Sequence, residues 1–226
     1  MDHDQGRPRR TQGEAAIGNL KHCILVLAAA ATLSGGAMAQ DEHSRQLAAG
    51  LAVMAGDVRQ LAASAKTQRR EGLRVRLAGD LSSLPLLLRR VGGDAASVPS
   101  LRAALAKEDW RSLERGLAAL RQHYPLDLRT LLPAAPTPER LRLGEAIHRQ
   151  TCAGCHDAST TDTNLPALNL FEQSRHMPRE EFAARLIIGV RGDVSTAYRN
   201  PFSDLELGAL IAYYGSTNGK SVPWLR

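Results

Sequence analysis

Cys152-Ala153-Gly154-Cys155-His156 sets two thiols and an imidazole within five residues, in the spacing C-x-x-C-H. That spacing is the attachment signature of a c-type haem, in which each thiol adds across one vinyl group to form a thioether. The adjacent imidazole then reaches the iron as its proximal ligand. Two rival chemistries use the same residue types. A thioredoxin-like dithiol sits at the end of a strand in a βαβ unit, and no such pattern surrounds Cys152 and Cys155. A structural zinc site takes four ligands, whereas Cys152 and Cys155 are the only thiolates at hand and the nearest further imidazole, His148, lies upstream. One covalent haem c, with His156 as proximal metal ligand, is therefore the expected cofactor.

Upstream, the N-terminus carries the features of an export signal over residues 1–39. Arg7, Arg9, Arg10 and Lys21 precede an apolar run from Cys23 to Leu33, and the small-residue site Ala37-Met38-Ala39 follows. Cleavage after Ala39 leaves Gln40 as the mature start, although the long basic region leaves a later start codon open. The apolar run is too short to serve comfortably as a membrane anchor, and no later segment is long and apolar enough to span a bilayer. Arg9-Arg10 lacks the rest of a twin-arginine motif, and Cys23 opens the apolar run, so it does not read as a lipoprotein acylation site. The mature chain keeps only Cys152 and Cys155, both of which haem attachment consumes. No structural disulfide is then expected, even in an oxidising compartment.

The mature chain is expected to divide into a helical bundle over 40–132, a linker at 133–137 and a second domain over 138–226. Pro133, Pro136 and Pro138 interrupt helical patterning at that point. Charge divides there too: residues 40–136 hold 15 Lys and Arg against 10 Asp and Glu, whereas 137–226 hold 10 against 10. In the first half, Leu47, Leu51, Met54, Val58 and Leu61 are spaced 4-3-4-3, which places them on one helical face. Leu77, Leu81, Leu84, Leu88 and Val91 repeat the pattern up to Gly92-Gly93. Trp110, Leu113, Leu117, Leu120 and Tyr124 form a third stripe, with a shorter helix near Pro99 to Lys107 before it. Such stripes with short loops predict an antiparallel bundle with an apolar core. Pro85 conflicts with the second helix, because an internal proline should kink or split it. Arg69, Arg70, Arg74, Arg76, Arg89 and Arg90 read either as a solvated helix face or as a basic docking surface.

From Thr137 onward the chain resembles a class I, mitochondrial-type cytochrome c domain. A helix is predicted from Pro138 into the motif, with Thr137 as N-cap. A middle helix is predicted over Arg179 to Ile188, ending at Gly189, and a C-terminal one over Asp204 to Tyr214, with Ser203 as N-cap. The resemblance implies that Gly144 lets the C-terminal helix cross closely, near Tyr213 or Tyr214. It implies a proline carbonyl, here that of Pro166, accepting a hydrogen bond from His156. It also puts haem attachment on the far side of a membrane, so motif and signal agree. His148 departs from the pattern, standing where such domains usually carry an aromatic ring, and packing or a surface contact, rather than iron ligation, is its expected role. The whole chain is thus expected to be all-α.

The distal side departs further. The family resemblance implies a methionine in Met-Pro-x-Phe or Met-Pro-Phe, and in the matching stretch, Tyr198 to Asp204, Asn200 precedes Pro201-Phe202 at the methionine position. Three distal ligands stay open. Met177 is the one methionine of this region, 21 residues after His156. Asn200 would be a weak or absent ligand, as in high-spin class I cytochromes, leaving an iron that binds small gases. His176 would complete a bis-histidine site. The expected function is a periplasmic monohaem cytochrome carrying single electrons to a redox partner; a gas-binding or sensing haem protein and an electron-entry subunit of a larger enzyme are the alternatives. The basic first half suits an acidic protein partner or an anionic membrane surface. Nucleic acid is not expected of an exported chain without aromatic interleaving, and no acid–base or nucleophilic cluster beside the motif argues for catalysis by this chain alone.

Overall fold

Asp41 starts the first helix by accepting hydrogen bonds from the His43 and Ser44 amides at 3.1 and 3.0 Å, satisfying donors that a helix N-terminus leaves free. The computed structural model describes residues 40–63, 68–132, 134–157, 163–189 and 201–216; the signal expected over 1–39 lies outside them. Every regular element among the described residues is helical, and none of these helices is long and apolar enough to cross a membrane.

The first half comprises α1 (Glu42–Ala63), α2 (Gln68–Arg90), α3 (Val98–Ala106) and α4 (Trp110–His123). The stripe Leu47, Leu51, Met54, Val58 and Leu61 is at most 2% exposed and meets Leu77, Leu81, Leu84, Leu88, Leu113 and Leu117 in one core. A single stripe understates α1. Its Ala49, Ala52 and Val53 form a second buried face of small residues, so α1 packs against α2 and α4 on one side and against the second half on the other.

Pro85 does not split α2, which runs unbroken through it. A proline lacks the amide that would reach the carbonyl of Leu81, four residues back, and leaves that carbonyl orphaned. Arg102 of α3 supplies the missing donors: its Nε and a terminal nitrogen lie 3.2 and 3.1 Å from the Leu81 oxygen. Arg102→Ala should therefore cost about 1–3 kcal/mol, the usual penalty for a buried acceptor stripped of its partner, read as a lower urea midpoint. The loss should be smaller in a Pro85→Ala background, where residue 85 regains its amide. A full-sized loss in both backgrounds would show that the guanidinium does not cap this carbonyl.

The arginines are not one surface. Arg76 is turned inward onto Asp57. Arg70 stacks over Trp110 at 5.1 Å, bonds the Leu61 carbonyl and pairs with Glu108. Arg89 and Arg90 stay exposed. Of the six, Arg69, Arg70, Arg74 and Arg76 are half-buried.

The second half comprises α5 (Pro138–Ile147), a wide helical turn (His148–Cys152), α6 (Ala153–His156), α7 (Leu170–His176), α8 (Arg179–Ile188) and α9 (Asp204–Ser216). Thr137 caps α5 through the Arg140 amide at 3.3 Å. Ser203 and Glu206 form a reciprocal capping box on α9: the Glu206 carboxylate accepts from the Ser203 amide at 2.8 Å, and the Ser203 hydroxyl accepts from the Glu206 amide at 3.4 Å. α9 crosses α5 and touches α7 and α8. The stretch around the prolines packs inward, with Leu131, Leu132 and Ala134 in the same core as Leu210 and Tyr214. The helix α7 had no periodic signal, being only seven residues long.

Along the boundary of the halves, Ala49, Ala52 and Val53 of α1 meet Ala184 of α8, and an ionic network lies beside them. Asp57 accepts from Arg76 and from Arg185, both at 2.7 Å. Glu181 accepts from Arg185 at 2.8 Å and from Arg59 at 2.6 Å. A Cβ on Gly56 would overlap the Glu181 carboxylate, so the bare backbone there makes room for it.

Candidate cofactor attachment site

The helical path from Pro138 to His156 widens by one residue just before the motif. There the Ala153 amide reaches the His148 carbonyl, five residues back, where an ordinary α-turn would reach Gln150's predecessor, Arg149. Cys152 closes this turn, and Cys155 and His156 follow in α6. Both thiols are free; Cys152 is half-buried and Cys155 exposed. Burial pushes the Cys152 thiol above its ordinary value, against the lowering effect of a hydrogen bond with Tyr214.

His156 is half-buried, with Nδ1 2.6 Å from the carbonyl oxygen of Leu168. A carbonyl only accepts, so Nδ1 carries the proton and Nε2 keeps the lone pair that a metal would take. Orientation by a main-chain carbonyl was expected, but from Pro166. The acceptor is Leu168, two residues on, because Asn169 caps α7 through the Phe171 and Glu172 amides at 3.0 and 3.2 Å and holds the chain there. The two thiols and the free Nε2 are the donor set that a covalently tethered haem requires, and in this respect the residues fit that group.

His148 is 4% exposed and sits among aromatic rings, its centroid 5.3 Å from Phe171, 5.7 Å from Tyr213 and 5.5 Å from Tyr214. It therefore packs, as its position predicted. It also makes polar contacts that a plain aromatic ring would not. Nδ1 lies 3.0 Å from the Tyr214 hydroxyl and Nε2 3.3 Å from the Asp157 carboxylate. Burial raises the Tyr214 hydroxyl far above its ordinary range, so it stays neutral between His148 and Cys152.

Gly144 allows α9 this approach. A Cβ there would overlap the Ala209 carbonyl oxygen and come within 2.6 Å of the Tyr213 Cβ. The predicted crossing is thus present, with Tyr213 against Gly144 and Tyr214 reaching the motif.

The three distal residues are placed differently. Met177 is the C-cap of α7 and packs, half-buried, against the core formed by Phe182, Leu210 and their neighbours. His176 is exposed at the end of the same helix. Asn200 lies outside the described residues. No cluster of three His, Cys, Asp or Glu side chains among the described residues is arranged to hold a metal ion. The Leu168 carbonyl escaped sequence reasoning because a main-chain acceptor leaves no side-chain signature. The His148–Tyr214 pair was legible only as two polar rings on separate helices.

The chain matches no family model, no curated protein and no solved structure.

Proposed function

We propose that this chain is an exported c-type cytochrome with one covalent haem, and that it carries single electrons between redox partners. The observation that carries this reading is the motif itself with its imidazole turned by the Leu168 carbonyl, so that Nε2 is free beside two free thiols. Cys152 and Cys155 would tether the group through thioethers, and His156 would hold its iron. Haem bound there supplies a one-electron ferric–ferrous couple. The hydrogen bond to Leu168 would make the His156 imidazole a stronger electron donor to iron, which favours the ferric state. The α5–α9 crossing at Gly144 supports a class I cytochrome c domain over 138–226, with an antiparallel bundle before it. Arg89 and Arg90 offer positive charge to an acidic partner or an anionic membrane surface.

Export through a haem-maturation system into the periplasm, followed by intact-mass and pyridine haemochrome measurements, tests this directly. One haem per chain is expected, lost in the Cys152→Ser, Cys155→Ser double variant. A chain recovered without covalent haem, under conditions that load a control cytochrome, would sink the proposal. Met177 packed into the C-terminal core favours a second reading, a high-spin gas-binding protein with an open or Asn200-capped iron. Rapid carbon monoxide binding by the reduced protein would support it. A low-spin spectrum abolished by Met177→Ala but not by Asn200→Ala would refute it.

A further inference from the structure

The loop that carries the Leu168 carbonyl is not held by its own half alone. Leu165, three residues before Leu168, is 6% exposed and belongs to the core of the first half, with Leu47, Leu73, Leu77 and Leu113. Its seat lies against α2 at Gly72. A Cβ on Gly72 would come within 2.7 Å of Leu165 Cγ and 2.9 Å of Asn164 Cβ, closer than unstrained atoms pack. The helix cannot yield there, because its neighbours Leu73 and Leu77 are fully buried in the same core. Only a residue without a side chain lets the loop lie so close. Asn169 fixes the other end of the segment on α7. Leu168 is therefore held between two pins, one in each half of the chain.

We propose that Leu165, seated on Gly72 of α2, is a positioning residue for His156: the N-terminal helices hold the carbonyl that orients the proximal imidazole. This rests on the haem reading above for its effect on redox chemistry, but not for its geometry. The first half then acts from within the molecule, on the hydrogen bond that orients the iron's ligand. When the seat is disturbed, the Leu168 oxygen shifts and Nδ1–H loses its acceptor. The imidazole becomes a weaker electron donor to iron, and the ferrous state of a bound haem is favoured relative to the native protein.

The test uses the full mature chain as isolated after export, with haem content measured first. Two variants disturb the seat in opposite ways: Gly72→Ala adds volume beneath Leu165, and Leu165→Ala removes the plug. Gly79→Ala is the control on the same helix, since a Cβ there meets nothing within 4 Å. NMR of the 15N-labelled His156 ring reads exchange of the Nδ1–H proton with solvent, and a spectroelectrochemical titration reads the midpoint potential. Both seat variants are expected to exchange about tenfold faster, the factor that corresponds to losing a hydrogen bond worth about 1.4 kcal/mol, and to raise the midpoint potential. Gly79→Ala should change neither, and Leu165→Met should restore both. If either seat variant, shown to be folded by cooperative unfolding, keeps native exchange and native potential, the positioning role is wrong. If the chain carries no haem, the electron-carrier proposal falls, while proton exchange at His156 in the same sample still decides whether the seat orients the ring.

Discussion

Gly144→Ala should destabilise the protein by about 3 kcal/mol or more, at the upper end of what overpacking a core costs. The added methyl would overlap the Ala209 carbonyl oxygen and lie 2.9 Å from the Ala209 carbonyl carbon. These are backbone atoms, so no change of rotamer relieves the clash, and α5 and α9 must separate. Tyr214 rides on α9, and its hydroxyl meets His148 at 3.0 Å; separation breaks that contact and opens the aromatic cluster behind the motif. Guanidinium unfolding followed by far-UV circular dichroism measures the loss. Gly154→Ala, inside the motif where a Cβ meets nothing within 4 Å, is the matched control and should be near neutral. A Gly144→Ala protein within about 0.5 kcal/mol of the parent, the range of ordinary surface changes, would mean that the helices do not cross this closely.

Asp57→Asn should cost about 3–5 kcal/mol, the range for breaking a buried ion pair from one side. Asp57 is 0% exposed and accepts two bonds from Arg76 and one from Arg185, each at 2.7 Å. The isosteric amide removes the charge without leaving a cavity, so both guanidinium groups stay buried with less compensation. Arg185 retains Glu181. The exposed Arg142–Glu139 pair is the contrasting case, and Arg142→Ala should cost less than about 1 kcal/mol. A pH dependence follows from the same network. Burial acts to raise the Asp57 carboxyl, but the charges of Arg76 and Arg185 outweigh it and hold the group below its ordinary value of 3.8. A depressed carboxyl contributes stability above its unfolded value and loses that contribution as pH falls through the lower folded one. Stability should therefore fall on acidification below about pH 4, and that acid limb should be shallower in Asp57→Asn. An identical limb in both proteins would remove Asp57 as its source.

The helices of this chain were legible where a periodic stripe was long enough to read. Leu47 to Leu61, Leu77 to Leu88 and Trp110 to Leu120 each announce one face, and each packs as expected. The caps at Thr137 and Ser203 were equally legible, since a hydroxyl before a helix start is a local signal. The short helix ending at His176 was not, because seven residues hold too few turns for periodicity to show. The second face of α1 was missed for a different reason. Ala49 and Ala52 are as common on solvated helices as in close helix packing, and only the partner, Ala184, distinguishes the two. Arg76 and Arg70 were read with a surface because arginine is usually exposed, whereas their acidic and aromatic partners come from other helices.

Sequence by itself determined the chemistry within one helical turn: two thiols, an imidazole, and the all-helical class of the chain around them. These follow from covalent spacing and local periodicity, which need no partner. Tertiary structure alone decided which carbonyl faces His156, what fills the space beside Tyr214, and how the halves meet. Leu165 belongs to the second half by sequence and to the core of the first by packing, and Asp57 is neutralised by arginines 19 and 128 residues away. Such contacts depend on how closely two backbones approach, a quantity set at Gly72, Gly56 and Gly144 by the absence of a side chain rather than by any residue that advertises its role.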